Sequence, residues 1–474
     1  MGCRIAELLL LVCLVLAFSS WPSMGMRNRE YHDEEGVEEK EVPFEKKFLL
    51  QRKEEVVRTD AGDVRVVRGF AYHVGVESPM HIGFINMEPS SLFLPQYMDS
   101  TLTIFVRRGE ARIGWIHKAK MEEKEMKTGD LYVIPAGSTF YIANIGEGER
   151  LRLICSIDNR ENFGRRPFQS FFIGGGLNPT SIFAGFGPKT MATALNISIP
   201  ELGEFMRQVR GPIVYANVTQ TRSLFNQNHG DQRQEDGEDE SAAVAVTSTW
   251  AWAWRKVLRR VSLYPTTTTT TTTTNTKKSG KTVHFPDVYN LYKRKPDFEN
   301  KYGSTMSLYD NEYAPLGIPN ISVYLAKLKA GAMLGPHLNP TAIEFAVVLL
   351  GSGSIEIVYP NGTTAMVATV GEDDVFWVPQ YFPFCQIASR NGPFVFFGFT
   401  TASRDNKPQI LVGEGSVLRT MNRDVMAMAF GVPIEEFDRV VKAQNGSVIF
   451  PSPGAAPADK DEGEGVGIRS FGDI

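Results

Sequence analysis

The chain has 474 residues, of which 42% are hydrophobic and 22% are charged, and its formal net charge is -4. This length predicts about three domains at roughly 150 residues each and is ample for a large buried core. The near balance of 50 basic and 54 acidic residues excludes the strongly positive field that favours nucleic-acid binding. An aromatic content of 11%, with 43 glycines and 27 prolines, is typical of a turn-rich β protein.

The N-terminal segment 1–25 has the pattern of a secretory signal peptide. Arg4 precedes an apolar run at 5–18 that only Glu7 interrupts, and small residues follow it. Ser23 lies where a signal peptidase could cut, and Ser20 is the alternative. A run of about fourteen residues is short for a membrane span, which needs roughly 20. We therefore expect the secretory pathway and a mature form without membrane association, with a short membrane anchor as the alternative.

The cysteines and the glycosylation sequons agree with that route. Cys3 and Cys13 would leave with the signal, so the mature chain keeps only Cys155 and Cys385. Two cysteines are too few for a disulfide-stapled scaffold. Five Asn-x-Ser/Thr sequons predict N-glycosylation, at Asn196, Asn217, Asn320, Asn361 and Asn445.

A repeat divides the chain into two β-rich halves. Residues 95–109 have a counterpart in 336–351, and the pattern of 129–135 returns at 371–379. The anchors keep one order and a nearly constant offset, which makes chance matching of glycine and proline a poor explanation. Short β-branched and aromatic runs between turn residues, such as 102–106, predict a sandwich or a barrel in each half.

Each half ends in an amphipathic helical segment. In the first half, apolar residues recur at helical spacing from Leu202 to Val209, after the capping-box pattern of Ser198 and Glu201. In the second half, Pro433 precedes a similar spacing. Such faces predict docking arms, but periodicity does not say whether they dock within the chain or on a neighbouring chain.

The two halves are joined by a segment of unusual composition. It contains an acidic stretch at 231–240, three tryptophans beside basic residues at 250–260 and nine consecutive threonines at 266–274. Aromatic and basic residues together also suit nucleic acid or a membrane surface, but a solvated linker agrees better with the secretory route. The expected organisation is a signal peptide at 1–25, a flexible lead-in at 26–60, a first domain with its arm at 61–215, a linker at 216–283, a second domain with its arm at 284–452 and a flexible tail at 453–474.

One motif has the residue types of a metal site. His337 and Asn339 are two residues apart, which places them on one face of a predicted strand, and Glu344 follows on the next strand. Imidazole and carboxylate are ordinary ligands of a divalent transition metal. The alternative is a buried histidine and a buried glutamate that hydrogen bonds satisfy within the protein.

This motif resembles the first motif of the cupin family, in which Pro-His-x-His-Pro is followed by Glu. Residues 371–386 resemble the second motif of the family, which normally ends in a further His. Asn339 stands where metal-binding members have their second His, and Phe384 stands where the last His belongs. The resemblance therefore implies a degenerate metal site at His337 and Glu344, with Cys385 as a possible third ligand through a shifted register.

The first half departs further from the cupin pattern. Gln96 replaces the motif histidine, and no glutamate follows where Glu344 has its counterpart. The resemblance therefore implies no metal site in the first half.

Two such halves with helical extensions in a secreted chain resemble the vicilins, the trimeric globulins stored in plant seeds. The resemblance covers about residues 44–451 and includes the segments 296–303 and 413–421. It implies an all-β-dominated fold of two cupin jelly-roll β-barrels, each followed by a helical extension arm, and a homotrimer joined through the arms. It also implies a non-catalytic seed storage globulin, a nutrient reservoir with no required cofactor and no nucleic-acid partner. The location implied is a protein storage vacuole, with an extracellular location as the alternative.

Two other functions stay open at this stage. One is a metal-dependent enzyme of the germin type, such as an oxidase or a superoxide dismutase, with copper, zinc or manganese in the second barrel. The other is a binding module that holds a small ligand or a metal near His337, Glu344 and Cys385, because barrels of this size have room for one small ligand.

Overall fold

The computed structural model describes residues 48–71, 76–77, 80–117, 120–158, 160, 167–176, 178–207, 211–216, 287–404 and 406–451. All of them belong to one unit of the chain, Phe44–Ile474. The predicted signal peptide and tail, almost all of the predicted linker, Val209 and the sequon at Asn217 lie outside the described residues.

The first half forms two antiparallel sheets that face each other. Its strands are β1 (Lys53–Thr59), β2 (Gly62–Val67), β3 (Phe70–Ala71), β4 (Val76–Glu77), β5 (Met80–Met87), β6 (Ser91–Met98), β7 (Leu102–Arg108), β8 (Glu110–His117), β9 (Lys120–Lys127), β10 (Asp130–Ile134), β11 (Phe140–Asn144), β12 (Leu151–Asp158), β13 (Ser170–Phe172) and β14 (Ile213–Tyr215). One sheet contains β1-β2-β5-β12-β7-β10, and the other contains β13-β6-β11-β8-β9 with β14 beside β6.

The second half repeats this arrangement. Its strands are β15 (Tyr289–Asn290), β16 (Phe298–Asn300), β17 (Gly303–Leu308), β18 (Ser322–Leu328), β19 (Ala332–Leu338), β20 (Glu344–Gly351), β21 (Gly353–Val358), β22 (Thr364–Val370), β23 (Val375–Val378), β24 (Phe384–Ala388), β25 (Phe394–Thr400), β26 (Gln409–Ile410) and β27 (Ile449–Pro451). The sheets run β16-β17-β18-β25-β20-β23 and β22-β21-β24-β19-β26, with β27 beside β19. The strands of the second half pair in the same order as the corresponding strands of the first half. The repeat seen in the sequence is therefore also a repeat of the fold.

Sequence patterns explain which sheets are buried on both faces. Strand β10 has the sequence DLYVI and strand β25 has the sequence FVFFGFT, and every residue of both is buried. Such continuous apolar runs suit strands that line a barrel on one face and pack against a second barrel on the other. Strand β9, with the sequence KMEEKEMK, lies at an edge of the other sheet and leaves most of its charged residues in water.

The two barrels share a core where their larger sheets meet. The rings of Phe105 on β7 and Phe397 on β25 stack with centroids 4.0 Å apart, and both side chains are fully buried. At the margin of this contact Arg107 forms ion pairs with Glu372 and Asp373 of the second barrel.

A short segment at the start of each half pairs with the sheet of the other half. Residue Leu49, which precedes β1, bridges to Phe376 on β23 of the second barrel. In return β15, which precedes the second barrel, pairs with β10 of the first barrel, and Leu131 is the partner of Tyr289. The exchange is reciprocal and gives the two barrels an approximate twofold relation.

The exchange corrects one boundary predicted from the sequence. Residues 48–59 were expected to belong to a flexible lead-in, but Phe48 is fully buried and Lys53–Thr59 is strand β1. The prediction was wrong here because the strand KEEVVRT is rich in charged residues, as an edge strand with one wet face is. The partner of Phe48 is also too distant in sequence for any local pattern to reveal it.

The two predicted arms are helical. The helices are α1 (Pro188–Leu195), α2 (Ile199–Phe205), α3 (Val417–Thr420), α4 (Arg423–Phe430) and α5 (Ile434–Ala443), with 3-10 turns at Ile182–Gly185, Leu291–Lys293 and Ala314–Gly317. The capping box of Ser198 and Glu201 at the start of α2 is confirmed. Helix α2 ends at Phe205, earlier than the apolar spacing predicts, because Met206 already has the backbone of a C-cap.

Both arms leave large apolar side chains in water. In the first arm Phe205 is 66% exposed, and Leu195 and Ile199 are also exposed. In the second arm Met428 is 83% exposed, and Val425 and Phe430 lie near it on α4. Exposed apolar groups of this size on neighbouring helices are typical of a surface that docks on another protein.

Candidate functional site

The motif histidine of the second barrel is buried between two strands. His337 on β19 lies opposite Phe384 on β24, and the centroids of the two rings are 4.1 Å apart. Its Nδ1–H donates to the carbonyl oxygen of Gly335 at 2.7 Å, since a carbonyl can only accept. Burial lowers the pKa of the imidazole to about 4, so the ring is neutral at pH 7 and Nε2 keeps a lone pair.

The motif glutamate is buried in the same barrel. Glu344 is the first residue of β20, and Nδ2 of Asn339 donates a hydrogen bond of 2.8 Å to its Oε1. Burial raises the pKa of Glu344 to about 7, and hydrogen bonds from Asn339 and Tyr324 partly oppose this shift. The carboxyl group therefore changes its charge close to neutral pH.

The orientation of the Asn339 amide is fixed by its neighbours. The Oδ1 atom accepts hydrogen bonds from the backbone N–H groups of Thr341 and Ala342, at 3.1 and 3.0 Å. If the oxygen and the NH₂ group of the amide were exchanged, the NH₂ group would face these two backbone N–H groups, and neither side could accept a hydrogen bond. The NH₂ group therefore faces Glu344, so Asn339 presents a donor where a metal ligand would present a lone pair.

A chain of polar side chains continues from Asn339. The hydroxyl of Thr341 donates to Oδ1 of Asn406 at 3.0 Å, and Nδ2 of Asn406 donates to the hydroxyl of Thr400 at 3.0 Å. The hydroxyls of Thr400 and Ser322 form the next hydrogen bond. These groups satisfy one another and form one hydrogen-bonded network, whereas Oε1 of the buried Gln386 on β24 has no hydrogen-bond partner among the described residues.

Tyr324 is the site residue that the motif analysis missed. It lies on β18, and β25 separates that strand from β20. Its hydroxyl donates to the backbone carbonyl of Phe345 at 3.4 Å and also interacts with the carboxyl of Glu344. Burial raises the pKa of the phenol well above its ordinary value, so Tyr324 is a neutral donor. The alternation that puts Ser322 and Tyr324 on one face of β18 is the sequence signal that points to this residue.

Cys385 is not brought together with His337 and Glu344. It lies between two buried residues of β24 and opposite Glu356 on β21, whose side chain is exposed on the outer face. Strand alternation therefore turns the sulfur away from the barrel interior, and the pairing of β24 with β21 is regular through Cys385. Burial also raises the pKa of the Cys385 thiol to about 11, which disfavours the thiolate that binds metals.

These donors do not fit a tightly held metal. Within the part of the chain that the structure describes, no three His, Cys, Asp or Glu side chains group closely enough to hold an ion. A catalytic metal site usually has three protein ligands and one open position. Here the two remaining ligands, His337 and Glu344, are accompanied by the ring of Phe384 and the NH₂ group of Asn339.

Neutral residues occupy the corresponding positions of the first barrel. Gln96 on β6 lies opposite an aromatic residue of β11, as His337 lies opposite one of β24. By the same comparison of register, Leu102 on β7 takes the place of Glu344 on β20, since Leu102 lies opposite Ile157 as Glu344 lies opposite Thr400. Among the described residues, the buried amide of Gln96 has no hydrogen-bond partner. This barrel thus has neither an imidazole nor a carboxylate at the two positions.

Four of the five predicted glycosylation sequons lie among the described residues, and their asparagines are exposed. Asn361 lies in the hairpin between β21 and β22, where its Oδ1 accepts from the backbone N–H of Thr363 at 3.0 Å. Asn320 is more constrained, because its Oδ1 accepts from the hydroxyl of Ser403 at 2.9 Å. The other two, Asn196 and Asn445, lie in or beside the arms.

None of the helices in the described ranges is long and apolar enough to cross a membrane.

Comparison with known proteins agrees with this architecture. The cupin family profile matches residues 48–186 and 289–437. A vicilin-like seed storage protein of Arabidopsis thaliana is 45% identical over 417 residues, which cover 86% of this chain and 81% of the relative. The crystal structure of vicilin from Corylus avellana (hazelnut) covers 86% of this chain and 99% of its own, with a TM-score of 0.67 and 24% identity. The vicilin from Capsicum annuum has a TM-score of 0.69 at 20% identity and covers 86% of this chain and 100% of its own.

The profile matches residues of both barrels. The predicted pair of jelly-roll barrels with helical arms is confirmed by these solved folds. The chain belongs to the cupin family, as a two-barrel vicilin-like seed storage protein.

Proposed function

We propose that this protein is a nutrient reservoir without a catalytic site. The proposal depends on one observation about the best candidate metal centre, which is that its two remaining ligands are already engaged. Asn339 donates to Glu344, and the ring of Phe384 packs against His337. Metal-dependent catalysis needs a firmly held ion with an open coordination position. Two ligands are a poor basis for either, when one is a neutral imidazole and the other is a carboxyl whose pKa is raised to about 7.

The proposed assembly is a homotrimer joined through the helical arms. The support is the pair of exposed apolar surfaces, one on α1 and α2 and one on α4 and α5. Two different surfaces on one chain suit a head-to-tail interface, and such an interface closes into a ring when the rotation between chains permits. Three chains with two barrels each would then form a disc of six barrels.

The proposed location is the secretory pathway, with deposition in a protein storage vacuole and with secretion as the alternative. The signal-like segment 1–25 and the sequons support this route. Of the sequons, we propose Asn361 as the principal glycosylated site, since it lies in an exposed hairpin outside the arm segments. Asn196, Asn217, Asn320 and Asn445 are the further candidates.

The alternative function uses a divalent metal, copper, zinc or manganese, in the second barrel. Only His337 and Glu344 favour it, because a neutral imidazole and a buried carboxyl in the same barrel both have lone pairs that could bind a metal. Such a metal would support a germin-type oxidase or dismutase, or a metal-binding role without turnover. The orientation of Asn339 and the position of Cys385 both argue against it.

Metal content decides between these functions. The secreted protein, purified without chelators, would be analysed by mass spectrometry beside His337→Ala and a control, His81→Ala, which removes another buried histidine. We expect metal well below one ion per chain in all three proteins, and no oxidase or dismutase activity. Near-stoichiometric metal that His337→Ala removes and His81→Ala retains would contradict the proposal.

A further inference from the structure

A charged cleft lies on the outer face of the larger first-barrel sheet. Its floor is formed by β2, β5 and β12, and Asp373, in the turn before β23 of the second barrel, contributes to a wall. The cleft has a volume of about 340 Å³, which falls in the range of roughly 300–1,000 Å³ that small-molecule sites occupy. It faces away from the barrel interior, because residues of the same strands such as Val64 and Ile85 point inward.

Cations exceed carboxylates in this cleft. The cationic side chains in its lining are Lys53, Arg58, Arg65, Arg107, Arg150 and Arg152. The carboxylates are Glu55, Asp63, Glu88 and Asp373. The cleft therefore has a net positive charge, which concentrates anions at the surface.

The carboxylates of the cleft are already engaged. Asp63 lies 3.4 Å from Arg65 and also accepts two hydrogen bonds from the amide of Asn86, at 2.8 and 3.0 Å. Glu88 is paired with Arg150. Glu55 is shared by two arginines, and Asp373 is paired with Arg107. Each of these carboxylates is thus already paired with an arginine.

Two cations of the cleft have no carboxylate within 4.0 Å among the residues that the structure describes, namely Lys53 and Arg152. Lys53 donates to the backbone carbonyl of Asp373 at 2.7 Å, and its ammonium lies 4.9 Å from the ring centroid of Phe84. Its pKa is lowered by burial; Asp373 and Asp374 oppose this shift, and the neighbouring arginines Arg65 and Arg107 add to it.

Arg152 has an unfavourable position unless an anion is near it. On β12 it lies opposite Asn86 of β5 on one side and opposite Arg108 of β7 on the other. Like charges directly opposite each other on neighbouring strands destabilise a sheet. Arg108 is paired with Glu149 at 2.8 Å, whereas Arg152 lines the cleft and forms no ion pair with a carboxylate of the described residues.

We infer that this cleft binds a multiply charged oxyanion of the phosphate class, with Arg152 as its principal contact and Lys53 and Arg65 as flanking charges. The planar guanidinium fork of arginine matches two oxygens of a phosphate group, and an ammonium adds a point charge. This site is separate from the His337 centre and goes beyond amino-acid storage, because the protein would carry phosphate as well.

The test is titration calorimetry of the full-length protein with inorganic phosphate and with pyrophosphate, at constant ionic strength set with sodium chloride. We expect one saturable site per chain, with tighter binding of pyrophosphate. Arg152→Ala should weaken pyrophosphate binding at least tenfold, and Lys53→Met should also weaken it. Scanning calorimetry establishes whether each variant is folded. If Arg152→Ala does not fold, Lys53→Met alone tests the inference.

Arg390→Ala is the matched control, because it removes the same charge from an exposed turn of the second barrel. This variant should keep its pyrophosphate affinity within twofold of the parent protein. Absence of saturable binding in the parent protein would overturn the inference. Equal weakening by Arg152→Ala and Arg390→Ala would overturn it as well. That result would mean that pyrophosphate is attracted by the positive charge of the whole surface and not by this cleft.

Discussion

Asn339 and Glu344 are joined by a hydrogen bond of 2.8 Å, from the amide nitrogen of one to the carboxyl oxygen of the other. These are two of the positions at which a metal-binding cupin motif holds its ligands. Because Asn339 donates, the bond engages a carboxyl oxygen that would otherwise be free for a cation. The same pair also gives the second barrel a pH dependence.

The pH dependence follows from the raised pKa of Glu344. Its folded-state pKa of about 7 exceeds its ordinary value of 4.5, so the folded protein binds more protons between these pH values. The free energy of unfolding therefore falls as pH rises from about 5 to 8, by on the order of 3 kcal/mol from this group. Glu344→Gln keeps an acceptor for Asn339 and should abolish this part of the slope.

Thermal or denaturant unfolding at pH 5 and pH 8 checks this prediction. Relative to the parent protein, the glutamine variant should gain stability at pH 8 and change little at pH 5. Glu356→Gln, on the exposed face of β21, is the control and should leave the slope unchanged. A parent slope that survives in Glu344→Gln would show that the carboxyl is already ionised at pH 5.

Phe48 holds the segment at the start of the first half, which includes Leu49, against the second barrel. Its ring packs beside Trp377 and Phe382, with centroids 5.6 and 5.8 Å away, and it is fully buried. Phe48→Ala should lower the free energy of unfolding by about 3–5 kcal/mol. The control is Phe186→Ala, whose ring is mostly exposed, and denaturant unfolding measures both. Equal, small effects would mean that this segment contributes little.

The connection between the halves should be dispensable once the protein has folded. The barrels are held by reciprocal strand pairing, by the stacked rings of Phe105 and Phe397 and by the ion pairs of Arg107. A protease site placed in the threonine run at 266–274 would allow cutting of the native protein. We expect the two fragments to elute together in size-exclusion chromatography and to separate only in denaturant. Separation under native conditions would contradict the shared core.

The arms should control the oligomeric state. Met428→Asp places a charge on the most exposed apolar side chain of the second arm and should shift a trimer toward monomers, as measured by light scattering. Val367→Asp, on the barrel strand β22, introduces the same charge at an exposed site outside the arms and should leave the trimer intact. A trimer that tolerates Met428→Asp would mean that another surface joins the chains.

Local patterns predicted much of the fold. The β-branched and aromatic run at 102–106 corresponds to β7, and the capping box of Ser198 and Glu201 begins α2 as expected. These features depend on residues close in sequence, so the chain alone reveals them. The replacement of the motif histidine by Gln96 was likewise visible, because the repeat aligns the two halves.

Long-range pairing accounts for what the sequence did not reveal. Leu49 pairs with Phe376 on a distant strand, so residues 48–59 resemble a polar leader until that partner is known. The face on which Cys385 lies depends on the register of β24 with β21, which spacing alone does not fix. The contribution of Tyr324 also required knowledge of which strand neighbours the strand that carries Glu344.

The storage function is tested most directly by the fate of the protein in the plant. Quantitative mass spectrometry of its peptides in mature seed, through germination and in leaves would measure that fate. Storage predicts an abundant seed protein that falls steeply during germination and is nearly absent from leaves. A protein present at trace level in seed, or one that persists through germination and occurs in leaves, would contradict it.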